Sequence, residues 1–181
     1  MNEIILSTER LHLRWWRAAD KDDWFRLCAD PRVMAMLGPV MSRPQSDAMV
    51  ELMVGFRATH KSIFWAMERK EDGRVIGFCG LKPGAAGTPV EGQVEIGWRL
   101  ASDLWGQGYA REAALASLAW GWATLRCDSI WAITAAGNHR SRGLMERIGM
   151  RREPTLDFDH PALDAGDPLR PHISYSIRTI A

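Results

Sequence analysis

Apolar residues recur along the chain in two rhythms, and the switches between them lay out a series of elements. Ile4 to Trp16 alternates loosely around Leu11, Leu13 and Trp15 with polar Thr8-Glu9-Arg10 between, the period-two pattern of a strand or a strand pair. Asp20 then stands as N-cap of a helix through Leu27, ended by Asp30-Pro31 because proline disfavours helical geometry in the residue before it. Met49, Leu52, Met53 and Phe56 recur at helical spacing in a second helix from about Ser46 to Thr59. The rhythm shortens at Ile63 to Met67 and again at Val75 to Leu81, with turn residues Glu68 to Gly73 between, which is a hairpin signature. Lys82 to Gly92, rich in glycine and proline, is a loop before strand Val94 to Leu100, where Gly97 marks a bulge or a close backbone approach.

The clearest helix runs from Gly108 to Leu125, with Leu115, Leu118, Ala119 and Trp122 at i, i+3, i+4 and i+7 and alanines filling much of the rest. Ser129 to Thr134 is a strand, Asn138 to Ile148 a short helix closed by Gly149, and His172 to Thr179 a last strand. Pro154 to Pro171, rich in Asp and Pro, is a long loop. The elements add up to one mixed α/β domain over residues 1–181, with a largely antiparallel central sheet.

Composition narrows the function classes. A chain of 181 residues with 46% hydrophobic and 25% charged residues has ordinary globular composition, which excludes a disordered tail protein. The net charge of +1, from 23 Lys+Arg against 22 Asp+Glu, leaves no bulk basic field to gather nucleic-acid phosphates. No apolar run approaches the roughly 20 residues of a membrane span, and Met1-Asn2-Glu3 opens on an acid, so a cytoplasmic protein without a membrane partner is expected. Cys28, Cys79 and Cys127 are odd in number and far apart, fitting reduced structural thiols better than a disulfide framework or a zinc site. Asp157-Phe158-Asp159-His160-Pro161 reads as a turn and no metal is expected. Of nine tryptophans most belong to the core, with a minority free to line a pocket.

Chemistry concentrates in Leu104 to Ala113, between a strand and the best helix. The first N–H groups of a helix lack intrahelical partners and sit at the positive end of its dipole, and small residues at Gly106, Gly108 and Ala110 let an anion approach that backbone. A dinucleotide-binding fingerprint fails here, because its third glycine would fall where Arg111 stands. A glycine turn that merely starts a helix remains the rival reading of this spacing.

Taken together the motifs resemble the GNAT superfamily of acyl-CoA-dependent N-acetyltransferases, in the RimJ/RimL branch of ribosomal-protein N-terminal acetyltransferases. Trp105-Gly106-Gln107-Gly108-Tyr109-Ala110 occupies the family's pyrophosphate loop; Trp105 departs from the broad Gln/Arg pattern but is usual in this branch. Glu95 to Leu100 resembles the branch's fourth strand, Asn138-His139-Arg140-Ser141 with Ile148-Gly149-Met150 its Asn-x-x-Ser helix, and Thr8 to Arg14 its opening strand. The resemblance covers residues 7 to about 150, in order and at matching spacings.

It implies a twisted, largely antiparallel sheet splayed between strands 4 and 5 and flanked by about four helices. It also implies acetyl-CoA as co-substrate, with no metal. Backbone N–H groups of Gly106, Gln107, Gly108, Tyr109, Ala110 and Arg111 would hold the diphosphate, and Trp98, Arg99 and Leu100 would pair with the pantetheine arm beyond a splay after Gly97. Asn138 either bonds the pantetheine or caps its helix. An amine attacking a thioester needs a proton acceptor, for which Glu95 is the candidate, its alternative being a half-solvated strand carboxylate. The thiolate leaving group gains from a donor. Ser141 is the candidate because position 145, a tyrosine in many relatives, is Met145; its alternative is a bond to helix backbone or pantetheine, and Tyr109 is a weaker donor. Arg99, Arg140 and Arg142 are surface cations or anchors for coenzyme or an acidic acceptor. The implied function is acetyl transfer to a primary amine, on a peptide or protein N-terminus or a small molecule, by direct attack in a ternary complex. A non-catalytic acyl-CoA-binding regulatory module on the same fold is the alternative, and a homodimer is the commonest symmetric assembly.

Overall fold

The computed structural model describes residues 4–179. One nine-stranded sheet runs β1 (Ile4–Ser7), β2 (Leu11–Arg14), β3 (Phe64–Arg69), β4 (Val75–Pro83), β5 (Val94–Leu100), β6 (Ser129–Ala135), β9 (Pro171–Arg178) and β7 (Arg151–Arg152), with β8 (Phe158–Asp159) also on β9. Every pairing is antiparallel except β5 with β6. The opening segment folds as two strands, so the strands expected as 4 and 5 are β5 and β6. Five helices flank the sheet: α1 (Lys21–Cys28), α2 (Pro31–Met34), α3 (Arg43–Gly55), α4 (Tyr109–Leu125) and α5 (His139–Arg147). Four were expected; the fifth is the single turn α2.

Strand alternation decides which helix each residue meets. Leu81 and Ile96 are cross-strand partners facing α4, where Gly121 leaves room for Leu81 and Ile130; a Cβ there would stand 2.6 Å from Leu81 Cδ1. Phe78 and Arg99, also partners, face α1. On that side Trp24 meets Trp16 edge-on at 5.1 Å and Phe78 at 5.7 Å, and Phe64 stacks on Phe78 at 5.0 Å. Each such ring contributes about 1.5–3 kcal/mol by leaving water.

Four local expectations change. Asp20 stands at the N-cap of α1, but its carboxylate turns inward, taking two 2.8 Å bonds from the buried Arg14 guanidinium and one from the Arg17 N–H. Asp30-Pro31 ends α1 and also starts α2, with Pro31 in the first turn and the Asp30 side chain accepting from the Arg32 N–H. The irregularity expected at Gly97 occurs at Gly77, where β4 slips register against β3 and the Arg99 carbonyl comes within 2.0 Å of where a Cβ would be. Gly97 keeps regular pairing with Gly80 and makes room for the Phe64 ring. The Pro154–Pro171 segment is tied down at its start by a 3-10 turn (Pro154–Leu156), by β8 and by the Ser174 hydroxyl donating to the Leu156 carbonyl at 2.8 Å. Among the described residues no helix is long and apolar enough to cross a membrane.

Candidate functional site

β5 and β6 run side by side for two residue pairs only, Val94 with Ile130 and Glu95 with Trp131, and then part. The divergence begins at Glu95, two residues earlier than Gly97. It leaves the β6-facing edge of β5 open and makes a cleft of about 620 Å³. Its walls are the end of β5, the start of α4, the start of α5 and the segment around α2.

Trp98, Arg99, Leu100, Gly106, Gly108, Tyr109, Ala110, Arg111, Asn138 and Ser141 all border this cleft. Gln107 points elsewhere: its amide donates to the Asp103 carbonyl at 3.0 Å. Glu95 is also absent from the lining. It is buried at the point where the strands part, on the α1 side of the sheet, and accepts from Lys82 Nζ at 2.7 Å.

The loop before α4 is shaped by two glycines. Gly106 and Gly108 have φ of +77° and +85°, left-handed values that a side chain disfavours. In consequence six successive backbone N–H groups, Gly106 through Arg111, have no hydrogen-bond acceptor among the described residues; the next, on Glu112, bonds the Gly108 carbonyl. Added to the helix dipole, this row is a strong anion site. The wider cleft agrees in sign: Arg32, Arg99, Arg111, Arg140 and Arg147 border it, and among the described residues no Asp or Glu does.

A network that the sequence reading did not anticipate holds the loop in place. Arg10 donates to Glu112 through Nε at 2.7 Å and through its N–H at 2.8 Å, donates to the Gln107 carbonyl at 3.0 Å, and lies 4.3 Å over the Tyr109 ring. Thr8 adds a 2.6 Å bond to Glu112. Burial raises the Glu112 carboxyl, but the bonds from Thr8 and Arg10 outweigh it and hold the group below its ordinary range. The signal was polar Thr8-Glu9-Arg10 interrupting an apolar alternation.

At the other wall, Asn138 caps α5: its side chain accepts from the Ser141 N–H at 3.2 Å and donates to Thr134 at 3.1 Å. This leaves the Ser141 hydroxyl bordering the cleft with no protein partner among the described residues. Trp105 joins the walls, its indole N–H donating to the Leu100 carbonyl at 2.9 Å while Arg140 lies 4.4 Å over its ring. The start of α2 is tied to the turn after β5 by a bond from the Ser102 hydroxyl to Asp30. Arg32 first and Ser102 second draw the Asp30 carboxyl down to about 2. Asp157 and Asp159 pair with Arg152 and Arg170, so the Asp-Phe-Asp-His segment spends its carboxylates on ion pairs.

Residues 10–151 match the Acetyltransferase (GNAT) domain. The chain is 31% identical over 154 residues to the uncharacterized protein YkkB of Bacillus subtilis, covering 83% of this chain and 87% of that protein. A GNAT-family acetyltransferase from Bacillus anthracis superposes with a TM-score of 0.78 at 24% identity, over 96% of this chain and 97% of the other. The microcin C7 self-immunity acetyltransferase MccE, solved with acetyl-CoA and AMP, superposes with a TM-score of 0.78 at 13% identity, over 99% and 98%. With its splayed sheet, its row of open N–H groups and this match over most of its length, the chain belongs to the GNAT family of acetyltransferases.

Proposed function

We propose that this protein is an acetyl-CoA-dependent N-acetyltransferase that acts on a primary amine by direct attack in a ternary complex. The observation that carries the reading is the row of N–H groups from Gly106 to Arg111, open to an anion at the start of a 17-residue helix. The coenzyme fits these residues: a diphosphate meets six donors and a cleft bordered by arginine, with no carboxylate among the described residues. When bound, acetyl-CoA supplies an acetyl group activated as a thioester. The open edge of β5 at Trp98 to Leu100 offers main-chain groups to the pantetheine amides and an N–H for the thioester oxygen.

Glu95, buried where the strands part, accepts the amine proton directly or through water, and its bond from Lys82 fixes the carboxylate. Ser141 Oγ, bordering the cleft, holds the proton for the leaving sulfur. The finer placement in the RimJ/RimL branch rests on the Trp105-to-Ala110 loop and the Asn138-to-Ser141 helix start, and it makes a peptide N-terminus one acceptor to test. The setting proposed is the reducing cytoplasm.

Thermal unfolding with and without acetyl-CoA is the first test, since a ligand at about 100 times its Kd adds roughly 2.7 kcal/mol. A rise in Tm is expected, and none at millimolar acetyl-CoA would remove the reading. Thiol release with an amine panel then separates enzyme from binding module. Glu95→Gln and Ser141→Ala are each expected to lower kcat by about 10²-fold or more while the coenzyme-induced Tm shift persists. Unchanged rates in both would withdraw their assignment.

A further inference from the structure

Among the described residues Arg99 is a cation without a counter-ion. Its side chain leaves β5 on the α1 side, where the guanidinium lies 5.0 Å from the Trp24 ring and 5.5 Å from the Phe78 ring. Its Nη1 donates to Cys28 Sγ at 3.5 Å, a weak acceptor, and its Nε is buried with no hydrogen-bond partner. Among the described residues no carboxylate pairs with it, whereas Arg10, Arg14 and Arg32 each have one. Burial lowers its pKa and the Cys28 sulfur only partly offsets this. A charge drawn out of water against aromatic rings with so little compensation is costly, and cation–π contact returns only part of that cost.

The coenzyme diphosphate is a poor candidate for the missing anion. The donors that suit it lie at the start of α4, which packs on the opposite face of the sheet. Arg99 nevertheless borders the cleft, whose lining also includes the apolar side chains of Val33, Met36 and Leu37. It shares its face of β5 with Glu95, the proposed proton acceptor, two alternations away along the strand.

We propose that Arg99 is the anion anchor of the acceptor subsite: the amine to be acetylated carries a carboxylate a few bonds from its nitrogen, as a free amino acid does, and that carboxylate completes the guanidinium's hydrogen bonding. The inference rests on the acetyltransferase reading and narrows its acceptor to an amine that is also an acid. A planar guanidinium matches a carboxylate's two oxygens.

The test compares L-amino acids and straight-chain ω-amino acids, each against its own carboxamide, with thiol release as readout and the acetyl-CoA-induced Tm shift measured alongside. At least one acid is expected to exceed its amide in kcat/KM by about thirtyfold or more, the loss typical of a broken buried charge pair. In Arg99→Gln that ratio collapses toward unity while the Tm shift with acetyl-CoA persists. Arg99→Lys keeps the charge without the fork and retains part of the preference, which serves where the glutamine variant does not fold. Equal rates on acids and amides, no turnover of any acid, or an Arg99→Gln loss shared by acid and amide would overturn the anchor while leaving acetyl transfer in place. No Tm shift with acetyl-CoA would instead remove the acetyltransferase reading beneath it.

Discussion

Arg10 and Glu112 are 102 residues apart in the chain and 2.7 Å apart in space, Nε to Oε2. One belongs to the turn between β1 and β2, the other to the first turn of α4, so the start of the chain holds the anion-binding loop in shape. Arg10 also bonds the Gln107 carbonyl, which ties that peptide unit of the loop to the turn between β1 and β2. Arg10→Ala is expected to cost about 1 kcal/mol of stability, a modest figure because the arginine is 39% exposed and the pair is screened by water. Its larger effect falls on acetyl-CoA affinity, expected to weaken about tenfold for a loss near 1.4 kcal/mol, readable by calorimetry. Equal affinity in variant and parent would show that the loop holds its shape alone.

The same pair sets an acid limit. Glu112 has a folded pKa below its usual 4.5, so its contribution to stability is complete above that value and is lost as pH falls through the lowered folded value. The destabilisation caused by Glu112→Gln is therefore expected to be full at pH 6 and to shrink below about pH 4. Chemical denaturation across that range checks the sign; a difference that grows on acidification would contradict it.

Asp30 ties α2 to the turn after β5 through Ser102 and is held near a pKa of about 2. Being depressed, this group contributes fully above its ordinary 3.8 and loses its contribution as pH drops toward 2. Asp30→Ala frees the wall that carries Val33, Met36 and Leu37. The expected result is a higher acceptor KM with a near-constant Kd for acetyl-CoA; a change in the coenzyme Kd alone would place the wall's role elsewhere.

The thiols should be poor nucleophiles in the native protein. Burial pushes Cys79 up to about 12 and raises Cys28, and Cys127, half-buried, is raised as well. At pH 8 alkylation of the folded chain is expected to be confined to slow reaction at Cys127, with all three modified on unfolding. Rapid labelling of Cys28 in the native state would mean that α1 opens readily from Arg99.

Gly97→Ala tests the packing on the face of β5 that carries Arg99. A Cβ there would lie 2.5 Å from the Phe64 ring, which itself supports Phe78 and lies 5.2 Å from Lys82 Nζ. The ring must shift, at an expected cost of about 1–3 kcal/mol measurable by denaturation. A neutral result would show that Phe64 has room to turn.

What could be read in advance was what each segment declares by itself. α4 announces itself through its alanines, the β3–β4 pair through two short apolar runs, and Gly149 closes α5 with a φ of +88°; the stripe expected on α4 is not the face it buries, because small Ala113, Ala114, Ser117 and Gly121 with Leu118 let the helix lie close on the sheet and leave Leu115 and Ala119 exposed. Of the residues proposed for the coenzyme, all but Gln107 border the cleft, because the motif joins a strand end to a helix start and those meet in any arrangement of the sheet. What escaped were features set by partners distant in sequence. The two-residue strands β7 and β8 exist only because β9 offers them an edge. Asp20 reads as the cap of its own helix because nothing local reveals that Arg14 needs a buried carboxylate. Arg10 reads as one polar residue in a strand until α4 is folded against it.

The parting of β5 and β6 has a mechanical side. With only Val94–Ile130 and Glu95–Trp131 joining them, the sheet is two plates hinged along a short seam, with α4 bolted across both through Leu81 on one plate and Ile130 on the other. A molecule lodged in the gap therefore acts as a strut. Its load passes beyond the walls it touches to β9, which is tied to the far plate through all seven residues of β6.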